Sequence, residues 1–173
     1  MKKSIFIISI TSDIGTELAK FYFKKCNVYG TYRSKTKNYY HLKKIGIKLY
    51  KCDLNNRPSI NNFIKQINDL PKWNYLIVSA GTQNPIGRFE NVNFKSWRDG
   101  FNINFINQLE LLHVLLNKRI KSKKNSPRVL FFAGGGTNNA TINYSSYTIA
   151  KIASIKMVEL LDEEIKDTVF SIL

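Results

Sequence analysis

Two cysteines, Cys26 and Cys52, are too few and too far apart for a disulfide framework or a zinc-ligand spacing. Both are read as reduced structural residues, and no metal site is expected. Nowhere does the chain collect the run of about eighteen apolar residues that a membrane-crossing helix needs, so no membrane partner is expected. The opening MKKSIFIISITSDIG has two lysines and an apolar stretch, but it meets a polar turn where a signal peptide requires a small-residue cleavage site. It is read as a first strand, and the protein as cytoplasmic. Acidic residues are also scarce, with 12 Asp and Glu against 27 Lys and Arg and a formal net charge of +15. Such an excess invites a nucleic-acid partner, because clustered cations release counterions from phosphates. The lysines are scattered, however, and the one dense run, Asn117 to Arg128, reads as a helix end and loop, where cations are favoured. A solvated basic surface is expected, not a nucleic-acid interface.

What is present is an alternation of apolar runs and helix-period segments over 173 residues, 43% of them hydrophobic. That is enough for one domain with a sizeable core, and the alternation is the pattern of a parallel sheet covered by helices. The strands are read at Ser4 to Ser9, Asn27 to Tyr32, Lys48 to Asp53, Tyr75 to Gly81 and Arg128 to Gly136, with a sixth beginning in TVFSIL. Helices are read at about Thr16 to Lys25, Tyr39 to Lys44, after Pro58, around FINQLELLHVLL, and from about Ser145 to Glu164. The fold class is α/β, a Rossmann-like doubly wound parallel sheet flanked by helices, whose ligands lie at the carboxyl ends of the strands.

Two places carry chemistry on residue type and spacing. The turn from Ser9 to Gly15 leaves a buried strand and enters a helix, which makes an anion site from unpaired amides and the helix dipole. In NYSSYTIAKIAS, Tyr147 and Lys151 are four apart and share a helix face. An ammonium beside the phenol favours the phenolate, so the Tyr147 pKa is expected to fall below its usual value of about 10.

ISITSDIG, KCDL, VSAG, INFIN and YTIAK, taken in order, resemble the short-chain dehydrogenase/reductase family along essentially the whole chain. The resemblance implies a nicotinamide cofactor held by Ser9, Thr11, Ser12, Asp13, Ile14 and Gly15, with Ser9 and Asp13 standing where the family has glycines. It further implies cofactor contacts from Asp53 and Leu54, from Ser79, Ala80 and Gly81, and from Tyr147 and Lys151. Tyr147 is then the general acid/base, Lys151 its partner, and Asn104 the residue that fixes a water in the proton relay. Arg33 is the first residue after the second strand, with no carboxylate nearby, so NADP(H) is expected over NAD(H).

The family's substrate-orienting serine corresponds to Gly134, which has no hydroxyl. Thr137, Asn138 and Ser146 are candidates to replace it, Thr137 first. The resemblance also implies a small carbonyl or alcohol substrate and a homo-oligomer, with Ile152, Ile155 and Val158 facing either a partner or the core. Family members continue past the sixth strand through a substrate lid, so a chain ending at Leu173 is expected to be C-terminally truncated. Two rival expectations stand beside the oxidoreductase: a catalytically impaired nucleotide-binding or scaffold protein, and a basic nucleic-acid binder.

Overall fold

The computed structural model describes residues 2–122 and 125–173, so Met1 and the Lys123–Lys124 pair inside the basic run lie outside the described residues. Strands β1 (Ser4–Ile8), β2 (Asn27–Tyr32), β3 (Lys48–Lys51), β4 (Tyr75–Val78), β5 (Arg128–Phe131) and β6 (Val169–Ile172) form one parallel sheet in the order β3-β2-β1-β4-β5-β6. The connecting helices are α1 (Asp13–Tyr22), α2 (Lys37–Lys44), α3 (Arg57–Lys65), α4 (Phe94–Phe101), α5 (Asn107–Leu115) and α6 (Ser145–Glu164). From β1 the chain winds outward through β2 and β3, then returns to β4 on the other side of β1. The crevice of a doubly wound sheet therefore opens between β1 and β4, at their carboxyl ends.

All five residues of β1 are buried, and they divide by alternation. Phe6 and Ile8 face a core with Phe63, Trp73, Leu111, Leu112 and Val158; Ile5 and Ile7 face one with Ile10, Ala19, Val28 and Leu42. Each fully buried side chain of this size stabilises the fold by roughly 1.5–3 kcal/mol. Val158 thus belongs to the core, whereas Ile152 is exposed.

The strands stop earlier than their apolar runs suggest, at Ile8, Lys51, Val78 and Phe131. The residues beyond them turn out of the sheet and build the cleft. Helix α1 starts at Asp13 rather than Thr16, because the Ser12 side chain caps it, accepting from the Gly15 amide at 3.1 Å. Helix α4, inside what reads as a long loop, is capped by Asn93, whose side chain accepts from the Ser96 amide at 3.1 Å. The rings of Phe94, Trp97, Phe101 and Phe105 follow one another along it, with centroids 5.7, 5.9 and 5.6 Å apart. Trp97 ties this helix to the start of α6, donating Nε1–H to Ser145 Oγ at 2.9 Å while its carbonyl accepts from Ser146 Oγ at 2.7 Å.

Between α4 and α5 the chain makes a π-helical turn, Asn102–Ile106, in which the Asn107 amide reaches back to the Asn102 carbonyl. Gln108 Nε2 donates to the bypassed Ile103 carbonyl at 3.0 Å.

Gly30 in β2 allows close approach of the β1 turn. A Cβ there would stand 2.4 Å from the Ile7 carbonyl oxygen and 2.6 Å from Ile10 Cβ. Gly30→Ala is expected to destabilise the fold by about 2–3 kcal/mol, as overpacking does. Its melting temperature should fall by roughly 4–12 °C, and an unchanged melt would contradict the packing described.

Candidate functional site

The loop leaving β1 is shaped by three hydroxyls. Ser9 takes a left-handed φ of 60°, and its amide donates to Thr31 Oγ1 at 2.8 Å. Ser79 Oγ, arriving at the end of β4, donates to the Ile8 carbonyl at 2.8 Å and lies 3.3 Å from Ser12 Oγ. Gly15 sits beneath them, where a Cβ would be 2.7 Å from the Ser9 carbonyl oxygen and 2.8 Å from Ser79 Oγ. Ser12 occupies the Gly15 and Thr16 amides. Among the described residues the Asp13 and Ile14 amides have no protein acceptor, the arrangement that receives an anion at a helix N-terminus.

Two clefts open from this loop and share Ser12, Ser79, Ala80, Gly81 and Thr82 as a common wall. The larger, about 650 Å³, is also lined by Ser9, Thr11, Arg33, Asp53, Leu54, Asn55 and Asp99. Arg33 is exposed, and its carbonyl accepts from Lys51 Nζ. Asp53 is held by its amide, which donates to Ser59 Oγ at 2.9 Å, and one carboxylate oxygen accepts from the Asn55 amide at 3.0 Å. The smaller cleft, about 450 Å³, is lined by Asp13, Ile14, Gln83, Phe132, Ala133, Tyr147 and Lys151.

Tyr147 and Lys151 therefore meet in one cleft, as their spacing predicts, but their electrostatics differ from the expectation. Lys151 is 5% exposed, its Nζ donates to the Phe132 carbonyl at 2.7 Å, and burial lowers its pKa to about 8. Its Nζ stands 5.7 Å from the centre of the Tyr147 ring. The phenol is pushed up, not down, because desolvation disfavours the phenolate. Tyr147 is consequently a protonated donor at neutral pH.

Asn104 is fully buried and holds the loop after β4: its Oδ1 accepts from the Thr82 amide at 2.9 Å, and its Nδ2 donates to the Thr82 and Gly100 carbonyls at 2.8 and 2.9 Å. Four residues on, Gln108 Nε2 lies 3.2 Å from the Ala80 carbonyl. Both donor hydrogens of Asn104 are committed to the backbone, so its side chain shapes the cleft wall. The sequence reading missed Gln108 and Thr82; the i, i+4 spacing of Asn104 and Gln108 puts both amides on one helix face, but Asn102, Asn107 and Glu110 beside them mask that signal. Of the candidates for the missing serine, Ser146 is already bonded to the Trp97 carbonyl, and neither Thr137 nor Asn138 lines either cleft. Gly134 lies directly against the Tyr147 ring.

Among the described residues there is no cluster of His, Cys, Asp or Glu able to hold a metal ion, and no helix long and apolar enough to cross a membrane.

A sequence model of the family described as short chain dehydrogenase matches residues 3–172. No curated protein matches. Among solved structures, BdcA in complex with NADPH superposes with a TM-score of 0.81 at 18% identity, covering 98% of this chain and 68% of that one. A short chain dehydrogenase from Salmonella enterica serovar Typhi gives 0.83 at 18% identity, covering 98% and 73%. A tryptophan variant of actinorhodin polyketide ketoreductase with NADPH gives 0.81 at 17% identity, covering 98% and 67%. At such identities the likeness establishes the fold.

Proposed function

The chain belongs to the short-chain dehydrogenase family, and from that premise we propose that it is an NADP(H)-dependent oxidoreductase acting on the carbonyl or alcohol of a small metabolite. The observation that carries this reading is the smaller cleft, where Tyr147 and Lys151 face the N-terminus of α1. The cradle fits a dinucleotide: two free amides and a close-packed Gly15 suit a pyrophosphate, and Arg33 in the wall of the larger cleft suits a 2′-phosphate. Asp53 and Leu54 would border the adenine, and Ser79, Ala80 and Gly81 the wall between the clefts. NADPH bound in two of the similar structures supports the same assignment.

When bound, the nicotinamide supplies or accepts the hydride. Tyr147 supplies the proton: its phenol, protonated at neutral pH, donates to the substrate oxygen as charge develops there. The Lys151 ammonium, with a pKa of about 8, stabilises the phenolate so formed and can return a proton to it. Asn104 and Gln108 keep the Ala80 to Thr82 wall in place while this happens. A homo-oligomer and a cytoplasmic location belong to the same reading.

A second reading, nucleotide binding without turnover, is favoured by Gly134, which offers the substrate oxygen no side-chain donor. Titration of the protein with NADPH and separately with NADH, read as thermal shift, tests both. At a hundredfold excess over Kd, binding adds about 2.7 kcal/mol, or roughly 5–11 °C. NADPH is expected to shift the melt more than NADH, and Arg33→Asp is expected to reverse the order. No shift with either cofactor refutes both readings; a shift without carbonyl-dependent NADPH oxidation leaves the second. Equal shifts that Arg33→Asp does not alter would remove Arg33 from cofactor choice.

A further inference from the structure

The three consecutive glycines after β5 are used in three different ways. Gly136 has a left-handed φ of 93°, which favours glycine. Gly135 has open space on its side-chain side. Gly134 has no such backbone requirement, yet a Cβ there would stand 2.5 Å from Tyr147 Oη, 2.7 Å from Cε1 and 2.8 Å from Cζ. Carbon atoms in contact normally lie about 3.5–4.0 Å apart, so a single methyl group would displace the ring by about 1 Å.

The rest of α6 cannot absorb that shift. Ser146 is hydrogen-bonded to the Trp97 carbonyl, and Lys151 is buried and bonded to the Phe132 carbonyl, so the helix is pinned on both sides of Tyr147. The displacement falls on the tyrosine side chain, which must swing into the smaller cleft that it lines with Lys151 and Gln83.

We propose that Gly134 is a positioning residue for Tyr147: the missing side chain at 134 is the seat of the phenol, and the hydroxyl stands where it does because nothing occupies that seat. The proposal rests on Tyr147 being the proton donor, and it has an unexpected corollary. Gly134→Ser, which restores the hydroxyl that the family carries, damages the enzyme.

Three readouts test the seat. The first is thermal stability in a double-mutant cycle. Gly134→Ala lowers the melting temperature of the wild type but is neutral in a Tyr147→Ala background, where the ring is gone. The second is near-ultraviolet titration of the phenol, assigned by difference from Tyr147→Phe. In the wild type burial holds it above the ordinary phenol value, and in Gly134→Ala it moves down as the displaced ring meets water. The third is reduction of diacetyl by NADPH. A misplacement of about 1 Å costs on the order of a hundredfold in kcat, both for Gly134→Ala and for Gly134→Ser, with the NADPH thermal shift retained.

Equal destabilisation by Gly134→Ala with and without the Tyr147 ring, or an unmoved phenol titration, overturns the proposal. If the wild type binds no cofactor or reduces no carbonyl, the functional reading fails, while the melting and titration results still decide whether Gly134 seats the phenol.

Discussion

Tyr147→Phe is expected to lower kcat for carbonyl reduction by about a thousandfold, within the range of 10²–10⁴ that general acid catalysis contributes. The substitution removes one oxygen and leaves the ring on Gly134, so neither the fold nor the cofactor cradle should respond. The NADPH thermal shift should therefore persist while turnover is lost, a separation of binding from chemistry that a general loss of structure would not give. Because burial holds the wild-type phenol above its ordinary pKa, the donor stays protonated through the neutral range. The reduction rate should be flat there, then fall as the pH passes about 8 and the Lys151 ammonium loses its proton. A Tyr147→Phe variant that turns over at the wild-type rate would show that the proton comes from elsewhere.

Lys151→Met is expected to do two opposed things: abolish most of the turnover and raise the melting temperature of the ligand-free protein at neutral pH. Lys151 has a folded pKa of about 8 against a reference of 10.5. Between those values the unfolded chain binds more protons than the folded one, so wild-type stability rises with pH across that window. Below about pH 8 the cost of burying the charge is present in full, on the order of 3 kcal/mol. The variant escapes that cost but leaves the Phe132 carbonyl unpaired, a loss of about 1–3 kcal/mol. The net gain near pH 7 is about 1 kcal/mol, or roughly 2–4 °C. By pH 10.5 the wild-type ammonium has been neutralised and only the lost hydrogen bond remains, so the two melting curves should cross. Paired melts across this range check the sign, and a variant less stable at every pH would refute it. A gain in stability paired with a loss of turnover in this variant would be the ordinary trade between activity and stability.

Why the sheet was readable and parts of the site were not follows from the range of the interactions involved. Strands such as Ser4–Ile8 are buried on both faces, and continuous apolar runs announce that condition locally. The Tyr147–Lys151 pair was equally readable, since i, i+4 geometry belongs to the helix alone. The direction of the Tyr147 shift was not, because it depends on how deeply the ring is buried and on Lys151 finding the Phe132 carbonyl, nineteen residues away in sequence. Helix α4 carried a signal that went unread behind the Pro85 and Gly87 loop: exposed Phe94 and half-buried Trp97 and Phe101 stand at i, i+3 and i+7, an apolar stripe at helical spacing. The contact between Gly134 and Tyr147 joins a loop to a helix, and a thirteen-residue separation says nothing about which atoms touch.

The π turn at Asn102–Ile106 sets the phase of everything on either side of it. An α-helix advances about 100° per residue, so the wider turn rotates α5 relative to α4 about their shared axis. That offset is what lets one continuous rod turn its aromatic ladder outward near Phe94 while aiming Asn104 and Gln108 at the loop beneath the cleft. The rod behaves as two gears keyed at a fixed angle. The spacing between the aromatic residues and the two amides is thus a mechanical setting of the cleft wall, and its length matters as much as the identity of any residue along it.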